Sequence, residues 1–248
     1  MSSTSKLVIV TGAGSGIGRA IALGLAADGR RVACLDLNGD RAEETRALIE
    51  QSGGSAQAFT VDIADTTAVE RVSDDVKTDM GDPWALVNNA GWGEIHPFLE
   101  TNSEFWKKIL HINLLGPIAM SFHFANQMVA AGAGGRIVNI SSDSGRVGSS
   151  GESVYSGAKG GVIGFTKGLA REVIRFGITS NCVSPGPTNT PLFDTAPPKL
   201  MKALERAIPA RRLAEPEEVM QAVRFFVSED NGYVTGQTLS VSGGLTMI

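Results

Sequence analysis

The chain has 248 residues, 42% of them hydrophobic and 19% charged, which is apolar content enough for one large packed core. A formal net charge of -4, with acids and bases interspersed, offers neither a basic stripe for nucleic acid nor a polybasic patch for a membrane surface, so neither is expected as a partner. No apolar run is long enough to span a bilayer, and Met1 to Lys6 lacks the charged-then-apolar pattern of a secretory signal, so a cytoplasmic protein is expected.

From the N-terminus, Leu7 to Val10 is a short β-branched run that predicts a first strand. The glycine-rich run TGAGSGIG, Thr11 to Gly18, follows it, and Ile17 to Ala27 reads as a helix ended by Gly29. Arg31 to Leu35 predicts the second strand, Asp40 to Gln51 a helix closed by Gly53, Ala56 to Val61 the third strand, and Thr66 to Met80 a helix closed by Gly81. Further strands are predicted at Ala85 to Val87, Arg136 to Ile140, Ile178 to Val183 and Thr238 to Val241, with a helix from Glu217 to Ser228 behind Pro216.

Each of these strands is nearly continuous in apolar character, so both faces should be covered, as in a parallel sheet with helices on either side. No Pro-, Ser- or charge-rich linker divides the chain. Alternating strand and helix with short connections predicts an α/β fold: one doubly wound Rossmann domain over residues 1–248, with a mostly or wholly parallel sheet. Ligands in such sheets sit outside the carboxyl ends of the strands. The residue clusters with chemical character fall there: the glycine run after the first strand, Asn88 to Gly91 after the fourth, Ser141 and Ser142 at the end of the fifth, Pro185 to Thr190 after the sixth.

The glycine run lies between a strand and a helix, where a pyrophosphate meets a helix N-terminus. Its spacing is Gly12-x-x-x-Gly16-x-Gly18 with Gly14 extra, and it departs from the common dinucleotide fingerprint because Ile17 occupies the last expected glycine position. A P-loop is excluded, since Arg19 and Ala20 stand where Lys and Ser or Thr are needed. Asp36 ends the second strand at the distance where an acid hydrogen-bonds the adenosine ribose hydroxyls, and its charge repels a 2′-phosphate. Neither Ser15 nor Leu37 supplies a positive charge, so NAD is the expected cofactor, with Arg41 the one feature pointing the other way.

Tyr155 and Lys159 are spaced i, i+4, so on a helix they lie on one face. An ammonium beside a phenol favours the phenolate, as does an oxidised nicotinamide, so Tyr155 is expected to have a lowered pKa and to pass a proton to and from a reacting alcohol. Taken alone, the pair fits an amphipathic helix with a half-buried aromatic and a solvated lysine much better. Cys34 and Cys182 sit inside strands and read as buried thiols in a reducing compartment, and His96, His111 and His123 show no ligand spacing, so no metal site is expected and they read as surface or packing residues.

Taken in order, TGAGSGIG, Asp62, Asn88-Asn89-Ala90-Gly91, Asn113, Ser142, Tyr155 with Lys159, and Pro185-Gly186 resemble the classical short-chain dehydrogenase/reductase family over essentially the whole chain. The resemblance implies an oxidoreductase that moves a hydride between a nicotinamide cofactor and a carbonyl or secondary alcohol. It implies that Ser142 and Tyr155 hold the substrate oxygen, that Lys159 also holds the nicotinamide ribose, and that Asn113, on the central helix, holds a water leading from the lysine to solvent. The cofactor would rest on Thr11, Gly12, Ser15, Gly16, Ile17 and Gly18, with Asp36 and Leu37 at the ribose. Asp62 and Ile63 would lie at the adenine, Asn89, Ala90 and Gly91 on the adenosine side, and Pro185, Gly186, Thr188 and Thr190 at the nicotinamide end.

Within the family, Asn88 to Trp92, Arg146 to Glu152, Pro185 to Thr188 and Ser240 to Met247 are similar to the branch acting on 2-hydroxycyclohexanecarboxyl-CoA. Loops around Trp92 to Phe98 and Leu192 to Arg211 would shape the substrate pocket, with Arg146 or the Arg211-Arg212 pair available to an anionic or CoA-bearing substrate. The resemblance also implies a homotetramer, for which Ser153 to Phe176, rich in glycine and alanine, permits close helix approach. The alternatives are an NADPH-dependent carbonyl or 3-ketoacyl thioester reductase and, outside enzymes, an idle NAD-binding regulatory subunit, against which the presence of Ser142, Tyr155 and Lys159 together argues.

Overall fold

The computed structural model describes residues 5–191 and 198–248. A seven-stranded sheet in the order β3-β2-β1-β4-β5-β6-β7 forms its centre, and every neighbouring pair is parallel. The strands are β1 (Leu7–Thr11), β2 (Arg31–Asp36), β3 (Ser55–Thr60), β4 (Pro83–Asn88), β5 (Gly135–Ile140), β6 (Ile178–Pro185) and β7 (Thr238–Val241). The order reverses between β1 and β4, so the crevice above their carboxyl ends is where a ligand is expected in a doubly wound sheet.

The continuous apolar strands have the cause the sequence suggests. Along β1, Val8 and Val10 face one cluster with Ile21, Leu25, Val223 and Phe226. Leu7 and Ile9 face the other, with Val69, Val76, Met120, Phe124 and Met128. Helices α1 (Gly16–Ala27) and α9 (Pro216–Val227) cover the first face, and α3 (Thr66–Met80) and α5 (Gly116–Ala131) the second. Phe124 has no exposed surface, and truncating such a side chain to alanine costs about 3–5 kcal/mol.

Full coverage fails at both edges of the sheet. The sequence of β3, Ser-Ala-Gln-Ala-Phe-Thr, is partly exposed throughout, and β7 is partly exposed as well. Gln57 of β3 uses its amide to donate to Asp79 of α3 at 2.8 Å, a polar cover in place of an apolar one.

The remaining helices are α2 (Gly39–Gln51), α4 (Ser103–Leu110), the short α6 (Ser144–Val147), α7 (Ser153–Val173) and α8 (Pro198–Ala207). The expected helix from Ser153 to Phe176 ends as an α-helix at Val173 and tightens into a 3-10 turn, Ile174–Phe176, before the left-handed Gly177. Helix α9 takes Pro216 as its first residue and is closed by a capping box between Glu215 and Glu218. Asn113 does not lie on a regular central helix. It lies in a π turn, His111–Leu115, that joins α4 to α5, a bulge of the kind that collects at functional sites.

Candidate active site

The loops leaving β1 and β4 are stapled together. The hydroxyl of Thr11 accepts hydrogen bonds from the backbone N–H groups of Asn89 and Ala90, each at 3.0 Å. In return the Asn89 amide donates to the carbonyl of Thr11 at 3.0 Å. Gly12 has φ +65°, and a Cβ there would stand 2.9 Å from the Cα of Ala90. At Gly18 a Cβ would stand 1.9 Å from the carbonyl oxygen of Gly12, so the helix can begin this close to the strand only without a side chain.

The N-terminus of α1 is open to an anion. Ser15, its N-cap, spends no side-chain hydrogen bond on capping, and the first turn holds no acid, so the positive end of the helix dipole is uncompensated. Asp36 stands over the same loop: its carboxylate accepts from Gly14 N at 2.8 Å and from Asn38 N at 2.9 Å. The stem of Arg41 lies beside them, its Cβ 2.7 Å from a Cβ built on Gly14, while Leu37 is exposed. Asp62 accepts from Ala64 N at 2.9 Å, and Ile63 is buried beneath Gly116. Thr190 reaches the loop from the sixth strand, its Cγ2 3.2 Å from a Cβ built on Gly16. A tight glycine cradle, a free helix N-terminus and a carboxylate at the second strand fit a dinucleotide.

The catalytic candidates converge across the switch point. Ser142 lies just past β5, its hydroxyl accepting from Ser144 N at 3.1 Å. Ser141 donates to the carbonyl of Lys159 at 2.8 Å, and the Lys159 ammonium donates to the carbonyl of Ile140 at 2.9 Å and sits 5.7 Å from the Tyr155 ring centre. Gly91 packs between them, a Cβ there lying 3.0 Å from Asn113 Oδ1 and 3.4 Å from Lys159 Nζ. The side chain of Asn113, fully buried, accepts from Trp92 N at 3.2 Å and donates to the carbonyls of Trp92 at 2.7 Å and Ile109 at 3.0 Å. Its side chain thus holds the loop after β4. On the far side Pro185 accepts from Asp143 N at 3.0 Å and Gly186 donates to Val241 at 3.0 Å, while buried Thr188 donates to the Gly186 carbonyl at 3.0 Å.

The protein's own groups do not by themselves acidify the phenol. Burial pushes Tyr155 above its ordinary value, the Glu152 carboxylate pushes the same way, and the Ser142 hydroxyl opposes them. Burial also brings Lys159 down to about 8. Desolvation outweighs the attraction expected between the two, because both charged forms lie in a low-dielectric interior.

His96 is a half-exposed packing residue: its ring meets Phe105 edge-on at 5.5 Å, its Nε2 is 3.4 Å from Glu94, and with Glu94, Phe105, Glu152 and Tyr155 it lines a small cavity. Arg212 is committed to both carboxylate oxygens of Glu218, at 2.6 and 2.7 Å, and Arg211, at φ +61°, donates to the Arg206 carbonyl, so neither is free to greet a substrate. Of the loop expected to shape the pocket, residues 192–197 lie outside the described residues. Sequence reasoning also missed Asp143, a buried carboxylate capped by the Ser240 hydroxyl at 2.7 and 2.9 Å. Its position one residue after Ser142 was the available signal.

Cys34 and Cys182 are free and buried, as expected. Burial raises their thiols to about 12 and about 11 respectively. No group of His, Cys, Asp and Glu that could hold a metal occurs among the described residues. No helix among them is long and apolar enough to cross a membrane.

Comparison with known proteins agrees with this geometry. A family model described as enoyl-(acyl carrier protein) reductase matches residues 12–246. The chain is 39% identical over 251 residues to a (3R)-3-hydroxyacyl-CoA dehydrogenase of Mus musculus, covering 98% of this chain and 97% of that one. It is 37% identical over 258 residues to a short-chain dehydrogenase/reductase of Armillaria gallica, covering 99% of each. To the 3-oxoacyl-acyl-carrier-protein reductase of Escherichia coli (strain K12) it is 34% identical over 248 residues, covering the whole of both.

Proposed function

Since the chain belongs to the short-chain dehydrogenase/reductase family and is an oxidoreductase acting on CH–OH donors, we propose that it interconverts a hydroxyacyl thioester and the corresponding ketoacyl thioester with NAD as the hydride carrier. The relatives named for 3-hydroxyacyl-CoA and 3-oxoacyl substrates support the acyl class. The similarity of Arg146 to Glu152 to the alicyclic branch extends it to ring-bearing acyl groups. The bound nicotinamide would accept or return the hydride.

The chain's own residues do the rest. Ser142 and Tyr155 hold the carbinol oxygen, and Tyr155 takes its proton as the alcohol is oxidised or supplies it when the ketone is reduced. Lys159, already anchored on Ile140 by one donor, retains further N–H groups for the ribose and for stabilising the phenolate. Thr11 to Gly18 hold the pyrophosphate, Asp36 the ribose diol with Leu37 beside it, and Asp62 and Ile63 the adenine. Asn89, Ala90 and Gly91 line the adenosine side, and Pro185, Gly186, Thr188 and Thr190 the nicotinamide end. The π turn at Asn113 leads from Lys159 toward solvent as the proton path.

The observation that supports the reading is the grouping of Ser142, Tyr155 and Lys159 at the carboxyl end of β5, against Gly91 and Gly93 of the loop that Thr11 staples to the glycine run. The test is formation of NADH or NADPH from a panel of hydroxyacyl thioesters, cyclic alcohols and aryl carbinols, each assayed with NAD and NADP separately. Preference for NADP would move the reading to an NADPH-dependent reductase, which the stem of Arg41 beside Gly14 favours. Failure to turn over any carbinol while binding NAD would favour the idle regulatory subunit.

We also place the protein in the cytoplasm as a homotetramer. Two buried free thiols suit a reducing compartment, and exposed Leu110, Leu115 and Phe122 along α4 and α5, with Leu239 on β7, offer apolar surface for self-association. A sedimenting monomer at micromolar concentration would remove the second claim, and cell fractionation checks the first.

A further inference from the structure

We propose that Glu152 is a specificity-determining residue that keeps carboxylate-bearing molecules away from Tyr155, so that the enzyme takes its acid only when the acid is masked as a neutral acyl group such as a thioester. The inference rests on the carbinol-oxidising reading above and sharpens its substrate class.

Glu152 is the N-cap of α7, three residues before Tyr155, yet its side chain does not cap the helix. One of its oxygens, Oε2, accepts instead from the Ser144 hydroxyl at 3.0 Å. Oε1 takes no hydrogen bond among the described residues, and Glu152 lines one cavity together with Tyr155. Glu94, from the loop after β4, adds a second negative charge to the lining, and His96 faces Glu94 at 3.4 Å. No lysine or arginine lines this cavity among the described residues. The Lys159 ammonium donates to the Ile140 carbonyl at 2.9 Å, and Lys108 covers the Trp92 ring at 3.6 Å.

A site for a free hydroxy acid needs a cation or several N–H donors aimed at the carboxylate, usually an arginine fork. Here the carboxylates that share the cavity with Tyr155 are acceptors of the wrong sign and repel a second carboxylate. A thioester carbonyl carries no charge and meets no such penalty, and an N–H of a thioester arm can donate to the open oxygen of Glu152.

The test compares oxidation of 3-hydroxybutyrate with that of its neutral N-acetylcysteamine thioester, in the wild type, Glu152→Gln and Glu152→Asp. The wild type is expected to favour the thioester in kcat/KM by at least about a hundredfold. In Glu152→Gln that preference should shrink by about tenfold, chiefly through a lower KM for the free acid, the factor that corresponds to about 1.4 kcal/mol. Glu152→Asp, which keeps the charge, should keep most of the preference, a pattern that loss of helix structure would not produce. A wild type that prefers the free acid, or an unchanged preference in Glu152→Gln, overturns the proposal while leaving the oxidoreductase reading intact. No turnover of either substrate, or of any other carbinol, with either dinucleotide would overturn both.

Discussion

Lys159 Nζ donates a 2.9 Å hydrogen bond to the carbonyl oxygen of Ile140, which ties one turn of α7 to the strand end that carries Ser142. The lysine is therefore held in place by the backbone before any ligand arrives, and burial brings its pKa down to about 8.

That depression has a direction in stability. The unfolded lysine holds its proton up to its ordinary value of 10.5, the native one only to about 8, so the unfolded state binds more protons across this window and Lys159 makes the fold more stable as pH rises through it. Replacing it by methionine should remove this gain. Urea unfolding of wild type and Lys159→Met at pH 7.5, 9 and 10.5 should show the wild type gaining relative to the variant as pH rises, by about 3 kcal/mol at most. An unchanging difference would mean that the buried lysine carries no such shift.

Tyr155→Phe keeps the ring but loses the proton carrier. Turnover should fall by about 10²–10⁴-fold, with dinucleotide affinity, read by quenching of tryptophan fluorescence, changed little. Because burial and Glu152 both raise the phenol, the rate of alcohol oxidation in the wild type should climb with pH on the alkaline side. Glu152→Gln should move that climb to lower pH, since it removes one of the two raising influences.

Asp36→Asn leaves a side chain that can still accept from Gly14 and Asn38 but carries no charge. Its kcat/KM ratio for NAD over NADP should fall by about tenfold or more, because the repulsion of a 2′-phosphate goes with the charge. The additional change Arg41→Ala should then lower NADP use in the Asp36→Asn background. If the ratio stays put in Asp36→Asn, the carboxylate does not choose the cofactor.

Gly18→Ala places a methyl 1.9 Å from the Gly12 carbonyl oxygen, and backbone on both sides must shift to accept it. Dinucleotide binding by calorimetry should weaken by more than about a hundredfold, with Tm falling by several degrees as expected for about 1–3 kcal/mol of overpacking. Gly29→Ala is the comparison: its φ of +80° costs some strain, but a Cβ there meets nothing within 4 Å, so binding should survive.

Most of the sheet was legible because its strands are buried on both faces and carry little else. Leu7 to Val10 announces itself through continuous apolar character, whereas Ile178 to Val183 is as deeply buried but carries Thr179, Ser180 and Asn181 in its middle. The edge strand at Ser55–Thr60 obeys the same rule less well, since nothing needs to cover its outer face. Helices α4 and α5 escaped assignment although Gly116 and Pro117 open α5; the junction before them is a π turn around Asn113, and backbone hydrogen-bond register leaves no mark on composition. In the site, Tyr155 and Lys159 stood out by their i, i+4 spacing, and Ser142 joined them only through the ordered set of motifs that resembles the family. Asp143 and His96 acquire meaning only from neighbours far along the chain, Ser240 for the first and Gly151 for the second.

The Ser240 hydroxyl closes over Asp143, the residue that follows Ser142, the serine proposed to hold the substrate oxygen. The chain's last strand is thus wired to its chemistry and is no mere appendage. Trimming, retagging or circularly permuting the enzyme through that terminus would register first as a slower reaction, even in preparations that still melt cooperatively.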